Sequence, residues 1–167
     1  MSRVHSFPPI AGPDAESLVL GSMPGKASLR ANQYDAHPRN AFWPIIEELF
    51  GIRVDLPYEQ RCRRLQQQRL AVWDVLKTCT RSSSLDSDID PGSMVANDLA
   101  GFFNSHPAIR AVYFNGAMAE QSFRRHVLAM LPAAVSALPM IRLPSTSPAN
   151  ASFSFEQKLN AWRQLRG

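Results

Sequence analysis

The sequence predicts an α/β protein, one three-layer α/β/α domain around a central parallel sheet of four strands, and three observations predict it. Short apolar runs alternate with longer amphipathic segments in a β-α-β-α-β-α-β-α order, and parallel strands need crossover connections that lay helices over both faces of a sheet. The 167 residues are 45% hydrophobic and 19% charged, which suits a compact core and excludes a disordered chain. No repeat and no linker divides the chain, so residues 1–167 read as a single domain.

Ser17-Leu18-Val19-Leu20 is the first buried strand, ended by the glycine-bounded turn Gly21-Ser22-Met23-Pro24-Gly25. Ala41 to Phe50 is a helix with Phe42, Ile45, Ile46 and Leu49 on one face, and Tyr58 to Arg69 is a second, rich in Arg and Gln. Leu70 to Val75 is the next strand. A Ser/Asp-rich loop runs from Thr78 to Ser93, and a helix from Met94 to Phe103. Ile109 to Phe114 is the clearest strand and stops at Asn115-Gly116. Ala117 to Met130 is a helix, Pro139 to Leu143 a fourth short strand, and Ser154 to Arg166 the closing helix. There Ser154 and Gln157 fit a capping box, and Phe155, Leu159 and Trp162 share a face. In such sheets ligands bind beyond the carboxyl ends of the strands. The first turn, Asn115-Gly116 and the segment from Pro144 to Asn150 are therefore expected to line one edge.

Composition narrows the function classes. Eighteen Lys and Arg against fourteen Asp and Glu give +4 and a pI near 9.5, which permits a nucleic-acid partner without requiring one. Cys62 and Cys79 are too few for a disulfide framework or a four-cysteine iron–sulfur cluster. Met1 to Pro9 has no apolar leader region, and no window approaches an 18-residue apolar span, so a cytoplasmic protein is expected. The turn after the first strand is neither a dinucleotide fingerprint nor a phosphate loop. Asp74 and the cluster Asp86-Ser87-Asp88 fit no calcium loop and read as solvated loop ends or structural caps, so no metal is expected. The Arg61 to Arg69 run and Arg124-Arg125 read as solvated helix faces, and His5, His106 and His126 as surface residues.

Five short motifs remain, in register along the chain: Gly21-Ser22-Met23-Pro24-Gly25; His37-Pro38-Arg39-Asn40-Ala41-Phe42-Trp43-Pro44; Trp73-Asp74-Val75-Leu76 with the Ser82 to Asp88 loop; Tyr113-Phe114-Asn115-Gly116; and Leu143-Pro144-Ser145-Thr146-Ser147-Pro148-Ala149-Asn150. Together, from about Leu18 to Trp162, they resemble the uracil-DNA glycosylase superfamily, and most of all its hypoxanthine-DNA (deoxyinosine) glycosylase branch. The resemblance implies a four-stranded parallel sheet and hydrolysis of the N-glycosidic bond of a flipped, deaminated base in DNA, without metal or cofactor. Such an enzyme needs a water-positioning group, donors for the departing base and a base pocket, but no nucleophilic lysine. Many members carry Asp or Asn in the first motif and His in the last. This chain has Ser22 and Met23 in the one and no His in the other.

By the same resemblance Asn40 holds the water; it is equally placed to cap the helix that follows, and the two roles are compatible. Gly21, Ser22 and Met23 border the base, since glycine lets backbone approach a ligand closely. Phe42 is a stacking platform or a core aromatic, and Asn115 reads a purine edge or merely turns the chain. Pro24, Gly25, His37, Ser145, Ser147, Pro148 and Asn150 face the DNA backbone, where hydroxyls, amides and free N–H groups suit phosphates. The expected partner is DNA containing deaminated bases, bound by a monomer. Two further readings stay open: a mismatch-specific uracil glycosylase, and a non-catalytic DNA-binding module encouraged by the missing carboxylate in the first motif.

Overall fold

A computed structural model describes residues 2–167; Met1, the first residue of the segment read as leader-free, lies outside the described residues. Four strands, β2 (Ser17–Gly21), β3 (Leu70–Asp74), β6 (Ala111–Asn115) and β7 (Met140–Leu143), form a parallel sheet in the order β3-β2-β6-β7. Alternation along each strand feeds two cores. Val19, Val72 and Tyr113 pack with α2 (Phe42–Phe50), α3 (Tyr58–Gln67) and α7 (Phe155–Trp162) on one face. Leu18, Leu20, Val112 and Phe114 pack with α4 (Leu99–Ser105) and α5 (Ala117–His126) on the other. This is the three-layer α/β/α arrangement with a four-stranded parallel sheet that the sequence predicted.

The register puts the functional edge in order. Gly21 sits directly across from Asp74 and Asn115 across from Leu143, so the strand ends carrying the motifs lie side by side. Helix α2 buries Phe42, Trp43, Ile45, Ile46 and Leu49. Helix α7 starts from a capping box in which Ser154 Oγ accepts from Gln157 N–H at 3.1 Å and Gln157 Oε1 from Ser154 N–H at 2.8 Å. Its buried face is Lys158, Leu159 and Trp162, whereas Phe155 is 39% exposed.

Several boundaries differ from expectation. A second, antiparallel sheet joins β1 (Ser2–His5), β4 (Leu76–Arg81) and β5 (Val95–Ala96), and β4 runs into the stretch read as a loop from Thr78. Its buried positions include Thr78 and Arg81, so hydropathy does not reveal it. The helix expected from Met94 begins at Leu99, because Asp98 caps it with a side-chain bond to Gly101 N–H and Val95–Ala96 is drawn into β5. The helix expected to reach Met130 ends at His126 and passes into a 3-10 turn at Leu128–Met130. Two short helices, α1 (Lys26–Ala31) and α6 (Ala133–Ser136), went unread. His106 is half-buried and stacks on Phe102 with ring centroids 4.1 Å apart, rather than lying free on the surface. Half-buried Arg61 lies 4.6 Å over the Trp43 ring, so the Arg61 to Arg69 face is not wholly solvated. No helix of the described residues is long and apolar enough to cross a membrane.

Candidate active site

At the carboxyl edge of the sheet lies a cavity of about 780 Å³, within the size of small-molecule sites. Of the residues singled out from sequence, Gly21, Ser22, Met23, Pro24, Gly25, His37, Asn40, Asn115, Ser145, Ser147, Pro148 and Asn150 all line it. Motifs far apart in the chain thus converge on one space.

Phe42 does not reach the cavity. It is 1% exposed and packs edge-on against Trp43 and Trp162, with centroids at 5.1 and 6.0 Å. The amphipathic period of α2 turns it inward, so the core role wins over stacking. The aromatic residues along the cavity are Tyr34, Trp73 and Phe153.

The wall from Pro144 to Asn150 is held at every turn. Asn115 Oδ1 accepts from Thr146 N–H at 2.9 Å, and its Nδ2 donates to Thr146 Oγ1 at 3.0 Å. The amide expected to read a base is therefore engaged with the loop. Thr146 is 1% exposed, and its carbonyl also accepts from Ala41 N–H at 2.9 Å, tying the loop to the start of α2. Asn150 Nδ2 donates to the Ser145 carbonyl at 3.1 Å and Trp162 Nε1 to that of Pro144 at 2.9 Å. Buried Lys158, its pKa lowered by desolvation, reaches the Ser147 carbonyl at 3.4 Å. Gly116 lets the wall close in: at φ +96°, a Cβ there would also lie 3.1 Å from that of Ser145.

Another part of the lining is acidic. Asp35, Asp74 and Asp86 all line the cavity, and among the described residues none of them is ion-paired. Asp35 holds a left-handed backbone at φ +53°, an uncommon conformation away from glycine. Burial pushes its carboxyl up to about 7, against a hydrogen bond from the Asn40 side chain that pulls it down. Asn40 uses its Oδ1 to accept from Phe42 N–H at 2.9 Å, the capping bond foreseen for it. Asp74 is 5% exposed, not a solvated loop end. Burial raises its pKa well above the usual carboxylate range, the Asp35 and Asp86 charges add to this, and Arg81 opposes it. Asp86, raised by burial, accepts from Ser22 Oγ at 2.5 Å. Ser22 thus supports a carboxylate rather than replacing one. Asp88 is exposed as expected. Among the described residues no three His, Cys, Asp or Glu side chains are grouped as metal ligands.

Sequence reasoning missed Asp35 and Thr146 and misjudged Asp74. The available signal for Asp74 was its place at the carboxyl end of a strand, where ligands gather. Asp35 offered only its nearness to His37-Pro38-Arg39-Asn40.

A three-layer α/β/α fold with an acid-lined cavity at the carboxyl edge of its sheet defines an α/β protein whose site lies outside the strand ends, where such folds bind ligands. The chain belongs to the uracil DNA glycosylase superfamily, whose family model matches residues 8–166. It is 32% identical over 159 residues to a protein named hypoxanthine DNA glycosylase from Methanosarcina acetivorans, covering 90% of each chain. A protein of the same name from Methanosarcina barkeri is 32% identical over 115 residues, 68% of this chain and 72% of that one. The solution NMR structure of an M. acetivorans protein described as a candidate uracil DNA glycosylase superposes with a TM-score of 0.79 at 30% identity, covering 99% of this chain and all of that one.

Proposed function

We propose that this chain excises a flipped, deaminated base from DNA, hypoxanthine first, by hydrolysing its N-glycosidic bond, with Asn40 holding the attacking water. The observation that carries the reading is that Asn40 and Asp35 line the same cavity as the Gly21 to Gly25 turn and the segment from Pro144 to Asn150. The names of the two Methanosarcina relatives support hypoxanthine as the base.

Asn40 Oδ1 has given one lone pair to Phe42 N–H and keeps the other for a water proton. Asp35, beside it with a pKa of about 7, is poised to accept the second proton near neutral pH. The water oxygen bonds to C1′ as the C1′–N bond breaks, and the base departs with the bonding pair and is protonated. An abasic sugar and the free base remain. The non-catalytic alternative drew on the lack of a carboxylate in the first motif; Asp35 supplies one to the same cavity from another segment. The Pro144 to Asn150 wall, with Gly25 and His37, meets the DNA backbone. The enzyme acts as a cytoplasmic monomer and needs no metal.

The test is alkali cleavage of abasic sites after incubation, in EDTA, with duplexes bearing inosine, uracil or xanthine. Cleavage at inosine is expected, falling by about a hundredfold or more in Asn40→Ala with DNA affinity little changed. Preference for uracil would move the enzyme to the mismatch-specific branch. Salt-sensitive DNA binding without abasic product would leave the binding module.

A further inference from the structure

We propose that Arg81 is a positioning residue for base excision: from behind the cavity lining its guanidinium holds the Pro24 carbonyl and so fixes the Gly21 to Gly25 turn. This rests on the glycosylase reading above and names the group that keeps that turn in place beside the flipped nucleotide.

Arg81 ends β4, paired with Ser2 of β1 and bridged to Ile89, so its backbone is held on both sides. The residue is 5% exposed and stands outside the cavity lining, whereas Pro24 and Gly25 belong to it. Its Nη2 donates to the Pro24 carbonyl at 2.5 Å, while Nε and Nη1 are out of solvent without a hydrogen-bond partner. Burial raises the Asp74 and Asp86 carboxyls and the Arg81 charge opposes this in both, yet among the described residues it forms an ion pair with neither. A buried cation with one hydrogen bond and no counter-ion costs stability. Such a cost persists where the site beside it needs the group.

The single bond falls where it steers the turn. Three other carbonyls there are held by backbone: that of Gly21 by Val75 N–H at 2.8 Å, that of Ser22 by Leu76 N–H at 3.2 Å and that of Gly25 by Leu29 N–H at 3.0 Å. Two side chains from the segment that follows Arg81 secure the flanks. Ser84 Oγ accepts from Lys26 N–H at 2.8 Å, and Asp86 accepts from Ser22 Oγ at 2.5 Å. Arg81 secures the middle. Proline has no N–H to anchor the turn there, so the Pro24 carbonyl is the backbone handle that remains. The Pro24–Gly25 peptide is trans, and its N–H therefore points away from the carbonyl that Arg81 holds. Gly25 N–H makes no backbone hydrogen bond among the described residues. Fixing the carbonyl on one side thus fixes a free donor on the other, in a residue that lines the cavity.

Arg81→Met and Arg81→Lys test this in single-turnover rates on an inosine duplex at saturating enzyme, with Tm and affinity for an unmodified duplex measured alongside. Methionine keeps the apolar stem and loses both charge and donor. Lysine returns one donor, which is all that a single bond uses. Arg81→Met is expected at least about tenfold slower than wild type and Arg81→Lys within about threefold of it. The Tm of Arg81→Met is expected to be unchanged or higher, because a buried cation without a counter-ion is removed. Affinity for the unmodified duplex, which puts no flipped nucleotide against the turn, is expected to stay the same. A Met variant as fast as wild type, a Met variant with a lowered Tm, or a Lys variant as slow as the Met variant overturns the proposal.

Amide spectra of the isotope-labelled protein without DNA separate this inference from its premise. The Gly25 amide signal is expected to move in Arg81→Met and to return towards its wild-type position in Arg81→Lys. If wild type cleaves no duplex yet Gly25 follows that pattern, the hold of Arg81 on the turn stands and the glycosylase reading falls. A Gly25 signal unmoved in Arg81→Met overturns the hold whatever the rates.

Discussion

Two parts of the cavity lining are built in opposite ways. From Pro144 to Asn150 the chain is anchored to Asn115, Ala41, Trp162 and Lys158, and its central residue, Thr146, is 1% exposed. The carboxyl wall has a residue at positive φ, a buried oxygen without a partner and carboxyls raised by burial. The first wall is complete without a ligand, and the second is not. Strain and unsatisfied polar groups persist where function requires them and the surrounding structure holds them in place. The contrast assigns shape and docking to one wall and chemistry to the other.

If so, a substitution on the acidic wall should cost rate and gain stability, and one on the anchored wall should cost stability with a smaller change in rate. The largest expected effect is that of Asp35→Asn, about a hundredfold in the single-turnover rate on inosine. Because the ionised carboxylate is the active form, the wild-type rate should rise with pH through about 7, and that limb should vanish in the variant. Asp35→Asn should also be more stable. Its folded pKa lies above the unfolded value, so the carboxylate destabilises the fold increasingly from about pH 4 to 7 and constantly above. A Tm gain of a few degrees at pH 8, fading to nothing by about pH 4, is the expected melting result. A rate loss with a falling Tm would break the contrast.

Next comes Thr146→Ala. It removes the hydroxyl that accepts from Asn115 Nδ2 and leaves a donor unpaired, at about 1–2 kcal/mol, or a Tm about 2–6 °C lower. Its rate at saturating DNA should change less than that of Asp35→Asn, and a larger loss would put chemistry on the anchored wall. The smallest effect belongs to Lys158→Met. A long bond of 3.4 Å is offset by desolvation of the ammonium, so stability should shift by less than about 1 kcal/mol in chemical unfolding.

How much of this was legible depended on range. The alternation of Leu18, Val19 and Leu20 reports directly which side chains enter which core, and the Ser154–Gln157 capping box is a contact three residues long. Both could be read along the chain. β4 could not, because Thr78, Cys79 and Arg81 are buried by β1 and β5, which come from distant segments. From sequence Asp74 reads as a solvated loop end or a structural cap; burial and three charged neighbours from other segments, Asp35, Asp86 and Arg81, set its environment instead. The choice between roles for Phe42 turned on where Trp162, from the far end of the chain, comes to rest.

By itself the sequence determined the α/β class, the order of the four parallel strands along the chain, the turns at their ends and the motifs that mark the superfamily. Each of these is a local pattern of polarity, glycine and capping residues, and local patterns are fixed by backbone geometry. Only the tertiary structure decided that Asp35, Asp74 and Asp86 share one cavity, that Asn115 is committed to Thr146, and that Asn40 stands beside a carboxyl near its neutral form. Those are meetings between distant segments. Their energies depend on burial and on neighbouring charge, which exist only once the chain has folded.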